Sequence, residues 1–186
     1  MKTVKVLDKE FSIYIPQEEI EKKIQPIAEQ ISNDMRGKNP LFLVILNGAF
    51  MFASELFKKI TIPCEISFVK LSSYSGTTST NVVRELIGLD HSLEGRNVII
   101  VEDIIETGQT INYTIHKLSD LGAADVRVAT LFFKPQLFKC DFPIQYKVMD
   151  IDNEFIVGFG LDYNEQGRNL PDIYKIIEKS EGFNES

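Results

Sequence analysis

The sequence has few cysteines and histidines, and it has neither a transmembrane segment nor a signal peptide that we can identify. Its two cysteines, Cys64 and Cys140, show no metal-binding or redox spacing, which favours a reducing compartment. Its two histidines, His91 and His116, are isolated, and we interpret them as structural or surface residues. No apolar run approaches the roughly 20 residues of a transmembrane helix, and the N-terminus lacks the apolar core of a signal peptide. We therefore expect a cytoplasmic protein with no membrane partner.

Positive charge is also scarce. Lys and Arg number 20 against 27 Asp and Glu, which gives a formal net charge of −7. A protein of this charge is a poor non-specific ligand for nucleic acid, so no nucleic-acid partner is expected. The negative charge of the protein also repels a phosphate-rich substrate unless a divalent cation neutralises that charge locally.

Neither internal repeats nor a linker divide the chain. Its 186 residues, of which 44% are hydrophobic, are enough to bury a core without disulfides. The sequence therefore predicts a single domain over residues 1–186.

The most informative stretch is residues 98–110. It opens with the β-branched run Val98–Val101, which is typical of a strand buried on both faces of a parallel sheet. Glu102 and Asp103 follow where we expect this strand to end. Thr107–Thr110 then begins a helical pattern whose apolar stripe is Ile111, Ile115, Leu118 and Leu121, with Gly122 as its stop. Such a strand, acidic pair and turn predict a ligand site at the carboxyl edge of an open α/β sheet.

Each part of this stretch has a chemical use. Neighbouring carboxylates are acceptors that can take both hydroxyl protons of a ribose diol. A turn at a helix N-terminus offers backbone N–H groups, and the hydroxyls of Thr107 and Thr110 add to them, as a phosphate requires. The Gly-Lys-[Ser/Thr] ending of a nucleoside-triphosphate loop is missing. The combination indicates ribose 5-phosphate. The simpler alternative is that Glu102 and Asp103 cap the following helix and face water.

The same order of strand, turn and helix recurs along the chain. Residues 20–35 carry an apolar helical stripe, and Leu41–Leu46 is a second buried strand that ends at Asn47-Gly48-Ala49. A helix with Phe50, Ala53, Leu56, Phe57 and Ile60 inward is predicted to follow. Residues 125–133 form a further strand, with Lys134 at its carboxyl end. We predict an α/β fold with a mostly parallel sheet flanked by helices.

One segment has a composition unlike the rest. Residues 72–81 are small and polar, which predicts a lid or an ordinary flexible loop after a strand that ends at Leu71. Residues 82–89 would return as the other strand of that hairpin.

Residues 98–110 closely resemble the phosphoribosyl-diphosphate signature of the type I phosphoribosyltransferases. The likeness is strongest to the Val-Glu-Asp-Ile-Ile-Asp-Thr-Gly-x-Thr form found in hypoxanthine(-guanine) phosphoribosyltransferases, with Glu106 in place of the third acid, an Asp. A second segment, residues 154–165, resembles the base-binding and metal-binding segment of that family. The resemblance runs in order over roughly residues 40–177. It implies a type I phosphoribosyltransferase fold with a small hood subdomain, made from the N-terminal strands and residues 135–160.

The resemblance also implies a role for individual residues. Glu106 would be the catalytic group that takes the N7 proton of the purine, and Lys134 would contact its 6-oxo group. Phe155 would stack on the base and Ile156 would offer backbone groups to its edge. Mg²⁺ would be held by Asp162 with Glu102 and Asp103. The remaining expected substrate-binding residues are Gly48 of the pyrophosphate loop, often with a cis peptide in that family and here preceded by Asn47 instead of Lys; Ser73 and Tyr74 of the mobile catalytic loop; Thr107, Gly108, Gln109 and Thr110 of the phosphate turn; and Arg168 on the pyrophosphate.

The implied activity is transfer of a phosphoribosyl group from 5-phosphoribosyl 1-diphosphate to hypoxanthine, and to guanine as well. Two alternatives stay open at this point. One is a transferase for another base, such as xanthine or a pyrimidine. The other is a regulator that keeps the fold and senses nucleotide without turnover, which the departures at Glu106 and Asn47 favour. A homo-oligomer, dimer or tetramer, is also expected.

Overall fold

Two sheets make up the framework of this computed structural model, which describes residues 2–75, 82–89 and 92–177. In that part of the chain the elements are β1 (Thr3–Val6), β2 (Lys9–Ile15), α1 (Gln17–Asp34), β3 (Leu41–Leu46), α2 (Phe50–Phe57), β4 (Glu65–Ser75), β5 (Val82–Ile87), β6 (Asn97–Ile105), α3 (Gln109–Asp120), β7 (Asp125–Phe133), β8 (Tyr146–Asp150), β9 (Ile156–Val157) and β10 (Ile173–Ile176).

The larger sheet has the strand order β5-β4-β3-β6-β7-β8. Five of its strands run parallel, and β5 pairs antiparallel with β4 at one edge. This confirms the predicted fold class. The chain leaves β3 toward β4 on one side and leaves β6 toward β7 on the other. The carboxyl ends of β3 and β6 therefore form a topological switch point, where open α/β sheets bind ligands.

Helices cover both faces of this sheet. On one face α1 and α2 pack against the strands through a cluster that includes Ile24, Phe52 and Val101. On the other face α3 packs through a cluster that includes Leu43, Ile100 and Leu118. Successive residues of β6 thus enter opposite clusters, which explains why its apolar run is continuous instead of alternating. None of the helices in the described ranges is long and apolar enough to cross a membrane.

The smaller sheet has the order β1-β2-β10-β9 and is antiparallel. It corresponds to the hood that the resemblance implied, but its composition differs. Of residues 135–160, only β9 belongs to it, whereas β8 extends the larger sheet and the terminal strand β10 supplies the central pairing. Strand β10 is held on both sides, by β2 and by β9.

Several element boundaries differ from the sequence prediction. Strand β6 continues through both acids to Ile105, because residues 102–105 still pair with β7. Strand β4 continues to Ser75, so the segment after Leu71 does not begin as a loop. Phe50 and Leu121, expected to face inward, are 43% and 41% exposed. Leu121 lies just beyond the end of α3, where the helical stripe no longer applies.

Ser73 and Tyr74 belong to β4, where they pair with Arg84 and Val83 of β5. The rest of the expected lid, residues 76–81, lies outside the described residues, as does His91. Cys64 and Cys140 are both free thiols.

Candidate active site

The pocket at the switch point is built on the end of β6 and the turn after it. Its volume is about 150 Å³, and its lining residues are Glu102, Ile104, Ile105, Glu106, Thr107, Gly108, Thr110 and Ile111. Strand β3 pairs with β6 only as far as Val44 and Val101, so the β3 side of residues 102–105 is left open to this space. The acidic pair therefore lies in a strand that is paired on one side and open on the other.

Glu102 and Asp103 are both held in surroundings that disfavour their charge. Burial, with the adjacent Asp103 carboxylate, raises the pKa of Glu102 well above its usual value. Its Oε2 is buried and has no hydrogen-bond partner among the described residues. Burial also raises the pKa of Asp103 to about 6, against the lowering effect of the Ile104 N–H group, which donates to Oδ1 over 2.7 Å, and of Arg168. An unpaired buried acceptor is costly, which indicates that a ligand donor belongs there.

The turn from Thr107 to Gln109 is shaped by one glycine. Gly108 has φ +80°, a left-handed conformation that favours glycine, and it is the residue before the first turn of α3. A β-carbon at this position would lie 2.5 Å from the Phe138 ring and 3.2 Å from the Cys140 sulfur. The Lys139 N–H group donates to the Thr107 carbonyl over 3.1 Å, so the irregular segment 135–143 supports the turn from behind. The backbone N–H groups at the start of α3 can then receive an anion.

Lys134, at the end of β7, contacts one of the residues that line this pocket. Its Nζ lies 2.5 Å from Oε1 of Glu106, although the two residues are 28 positions apart. The Lys134 side chain is 6% exposed and that of Glu106 49% exposed, so a buried cation meets a carboxylate that lines the pocket. The pair joins a hydrogen-bond donor to a proton acceptor at one place.

The loop after β3 closes the site from the opposite side. Its Leu46–Asn47 peptide bond is cis, as the resemblance led us to expect for this loop. A β-carbon on Gly48 would overlap Oδ2 of Asp103, and one on Gly160 would overlap the Gly48 carbonyl oxygen. Gly48 is therefore packed between the end of β6 and the segment that follows β9. These close contacts explain why position 48 is a glycine.

The segment after β9 brings Asp162 and Arg168 together. Arg168 Nη2 lies 2.7 Å from Oδ1 of Asp162, and its Nη1 donates to the Gly160 carbonyl over 2.9 Å. Oδ2 of Asp162 accepts from the Glu165 N–H group over 2.8 Å, and Glu165 also lies 3.5 Å from Arg168. Both oxygens of Asp162 are thus engaged within its own segment. Sequence reasoning missed the contacts of Gly160 and Glu165 with Arg168, although both residues belong to or border the segment that it singled out.

Ile156 belongs to the smaller sheet, and Phe155 directly precedes its strand β9. The Phe155 ring is 45% exposed, and its carbonyl accepts from the Ile176 N–H group over 3.0 Å. Ile156 pairs with Lys175 of β10 and belongs to β9, an edge strand. The ring therefore has a fixed backbone and free surface, as a stacking platform requires.

The carboxylates are suited to Mg²⁺ but do not form a cage. Among the described residues, no group of three or more His, Cys, Asp or Glu side chains could hold a metal ion by itself. Mg²⁺ commonly binds through one or two carboxylates and completes its shell with water and substrate phosphate. Glu102, with its unpartnered oxygen, and Asp103 beside it fit that mode.

Comparison with known proteins agrees with this arrangement. Residues 13–164 match the phosphoribosyl transferase domain. The chain belongs to the phosphoribosyltransferase family. A hypoxanthine-guanine phosphoribosyltransferase of Streptococcus thermophilus (strain CNRZ 1066) is 43% identical over 173 residues, which cover 92% of this chain and 95% of that protein. One of Streptococcus agalactiae serotype V (strain ATCC BAA-611 / 2603 V/R) is 46% identical over 164 residues, 88% and 91% of the two chains.

Solved structures give the same result. The crystal structure of a hypoxanthine phosphoribosyltransferase from Staphylococcus aureus superimposes with a TM-score of 0.82 at 35% identity, covering 89% of this phosphoribosyltransferase and 91% of that chain. These relatives are named for catalysis, which disfavours the alternative of a non-catalytic regulator.

Proposed function

We propose that this phosphoribosyltransferase acts in purine salvage and transfers the phosphoribosyl group of 5-phosphoribosyl 1-diphosphate to hypoxanthine and guanine. The observation that carries the proposal is the ion pair of Lys134 and Glu106 beside the pocket that also contains Glu102 and the Thr107–Thr110 turn. A cationic donor next to a proton acceptor matches a 6-oxopurine, whose O6 accepts and whose N7 carries a proton. The names of the relatives support the same base.

The sugar phosphate would bind at the end of β6. Its 5-phosphate would lie on the N–H groups of the Thr107–Thr110 turn, with Gln109 at the first position of α3. Its diol would donate to Asp103 and to Glu102, whose Oε2 is buried and has no partner in the described part of the chain. A ligand hydroxyl there replaces an unfavourable buried acceptor with a hydrogen bond.

The base would stack on Phe155 with its edge toward the backbone of Ile156. In the reaction, N9 of the purine attacks C1 of the sugar while the bond from C1 to the pyrophosphate oxygen breaks. The N7 proton passes to the Glu106 carboxylate, and Lys134 donates to O6 as electron density moves into the ring. Preorganised groups of this kind stabilise charge that develops in the transition state.

The leaving pyrophosphate would lie between the Gly48 loop and Arg168. Arg168 already spans Asp162 and the Gly160 carbonyl through its two terminal nitrogens. A guanidinium carries five N–H donors, so others remain for the pyrophosphate. Bound Mg²⁺ would neutralise the pyrophosphate charge, with Glu102, Asp103 and Asp162 as the protein groups that hold it.

The test is pyrophosphate release with hypoxanthine, guanine, xanthine and a pyrimidine, each with and without Mg²⁺. We expect turnover with the first two bases and its loss in excess chelator, restored by added Mg²⁺. Turnover restricted to xanthine or the pyrimidine would reject the substrate assignment. Activity that persists in excess chelator would reject the requirement for Mg²⁺.

We also infer a dimer or tetramer. An apolar groove of about 280 Å³ lies between α2 and β4, and Phe50 and Phe68 at its edge are 43% and 46% exposed. Exposed aromatic patches of this kind are typical of subunit contacts. Light scattering on the purified protein should give a mass that is a multiple of the chain, and Phe68→Ser should lower it.

A further inference from the structure

Phe11 and Tyr163 are two aromatic residues that pack against Phe155, the proposed stacking residue, and the mechanism does not use them. The rings of Phe155 and Tyr163 meet edge to face, with centroids 5.8 Å apart and planes at 90°. The buried Phe11 ring lies 6.2 Å from Phe155 and 6.4 Å from Tyr163. Edge-to-face pairs have a preferred geometry, so Tyr163 restricts the angle at which the Phe155 ring can stand.

Tyr163 is itself fixed by the turn between β1 and β2. Its hydroxyl donates to Oδ1 of Asp8 over 3.0 Å. Lys9 Nζ lies 5.0 Å from the centre of the Tyr163 ring and 5.9 Å from that of Phe155. Asp8 of this turn therefore holds the tyrosine at its polar end, and Lys9, the first residue of β2, lies over its ring.

We propose that Tyr163 is a positioning residue for the purine, which sets the Phe155 ring for stacking and is held in turn by Asp8 and Lys9. This inference rests on the proposed function, since it takes Phe155 as the stacking residue. A ring that is already oriented loses less conformational freedom when the base binds, and base affinity rises accordingly. The Phe155 backbone is anchored by Ile176, so the side-chain angle is what remains to be fixed.

The side chain and the backbone of Tyr163 have separable roles. Its N–H group donates to the Gln166 carbonyl over 2.9 Å, and the Gln166 N–H group donates back over 3.1 Å. These bonds shape the segment that carries Asp162 and Arg168, and they do not involve the ring. Removing the ring should therefore affect the base and spare the sugar diphosphate.

The experiment compares Tyr163→Leu with Tyr163→Phe, which keeps the ring and loses only the bond to Asp8. We expect Tyr163→Leu to raise the KM for hypoxanthine three- to tenfold, the range that one aromatic pair supports. Its KM for 5-phosphoribosyl 1-diphosphate should stay within twofold, and calorimetric titration with inosine monophosphate should show the same loss as the base. Tyr163→Phe should be much milder, and Asp8→Asn should resemble it.

A double-mutant cycle tests whether Tyr163 acts through Phe155. In a Phe155→Leu background, Tyr163→Leu should add less than twofold to the KM for hypoxanthine. Multiplicative effects, an unchanged KM for the base, or a parallel rise in both KM values would overturn the inference while the parent enzyme stays active. A parent that neither turns over hypoxanthine nor binds inosine monophosphate would instead reject the proposed function, and this inference with it.

Discussion

Oε1 of Glu106 lies 2.5 Å from Nζ of Lys134, so the residue that departs from the family's motif contacts the lysine that we propose binds O6 of the purine. The extra methylene of a glutamate does not push its carboxylate away from the pocket. Glu106 keeps a side chain that is 49% exposed, and it therefore remains able to meet a ligand. This geometry favours a catalytic role over that of a regulator without turnover.

Glu106→Gln should lower turnover by about 10²–10⁴-fold, the range for a positioned acid–base group. The amide keeps the size of the side chain but cannot take the N7 proton. Binding of inosine monophosphate, measured by calorimetry, should change much less. Glu106→Asp is the matched control, because it keeps the charge and should retain most of the activity. A Gln variant as fast as the parent would show that another group accepts the proton.

Lys134→Met should weaken the use of hypoxanthine by about 1.5–3 kcal/mol in kcat/KM, the value of a charge-assisted hydrogen bond. Methionine fills a similar volume without a donor. Discrimination against adenine should fall in the same variant, since a 6-amino group offers no acceptor to the lysine. Unchanged kinetics on hypoxanthine would show that Lys134 does not contact O6.

Patterns along the chain predicted the framework of the fold but not the contacts between distant segments. Strands β3 and β6 contain continuous apolar runs because helices cover both faces of the sheet, and such runs are visible in sequence. The end of β6 was misplaced because Glu102 and Asp103 look like turn residues, whereas pairing with β7 keeps them extended. Phe50 was predicted inward because helical periodicity shows an apolar face without showing whether anything covers it.

The candidate site shows the same contrast between features that are local in sequence and contacts between distant segments. Glu102, Asp103 and the Thr107–Thr110 turn could be proposed from the sequence because they are contiguous. The Glu106–Lys134 pair spans 28 residues and the Tyr163–Asp8 bond spans 155, so neither leaves a local pattern. The contact of Gly48 with Asp103 also depends on the packing of two loops, and nothing in the neighbouring sequence indicates it.

Gly48→Ala should disable the enzyme, because the added β-carbon overlaps Oδ2 of Asp103 and must displace the carboxylate or the loop. Misplacement on the scale of an ångström can cost about 100-fold in rate. The KM for 5-phosphoribosyl 1-diphosphate should rise as well. Gly37→Ala is the control: no atom of the described residues lies within 4 Å of its added β-carbon, but φ +76° makes it strained. It should cost about 1–2 kcal/mol of stability and leave that KM unchanged. Equal kinetics in the two variants would reject the packing argument.

Glu102→Gln should raise the free energy of unfolding of the ligand-free, chelator-treated protein at pH 8 by about 1 kcal/mol, while it weakens substrate binding. Burial raises the folded-state pKa of Glu102, so the folded protein loses stability as pH rises above the ordinary pKa of a glutamate. The neutral amide escapes that loss. The stability advantage of the variant should therefore shrink as pH falls toward 4, where the buried side chain is uncharged in the parent as well as in the variant. Urea denaturation at several pH values measures this, and a destabilised variant at pH 8 would contradict it.

Asp172→Asn tests the opposite sign at a site remote from the proposed chemistry. Oδ1 of Asp172 accepts from the Gln17 N–H group at the start of α1, and Oδ2 accepts from Lys2 Nζ and the Tyr174 hydroxyl, over 3.0, 2.6 and 3.1 Å. The Lys2 hydrogen bond, followed by that of Gln17, lowers the pKa of this buried carboxyl. A depressed pKa means stability that is present above the unfolded-state pKa of about 3.9 and is lost as pH falls through the folded-state value.

We expect the Asp172→Asn variant to lose about 1–3 kcal/mol of stability at pH 7, because hydrogen bonds to a charged acceptor are weakened. The difference between the two proteins should narrow below about pH 4. Kinetics at pH 7 should change little, because Asp172 supports the smaller sheet and α1 and lies outside the proposed substrate contacts. A stability difference that is the same at pH 3 and pH 7 would show that the carboxylate charge is not what these donors recognise.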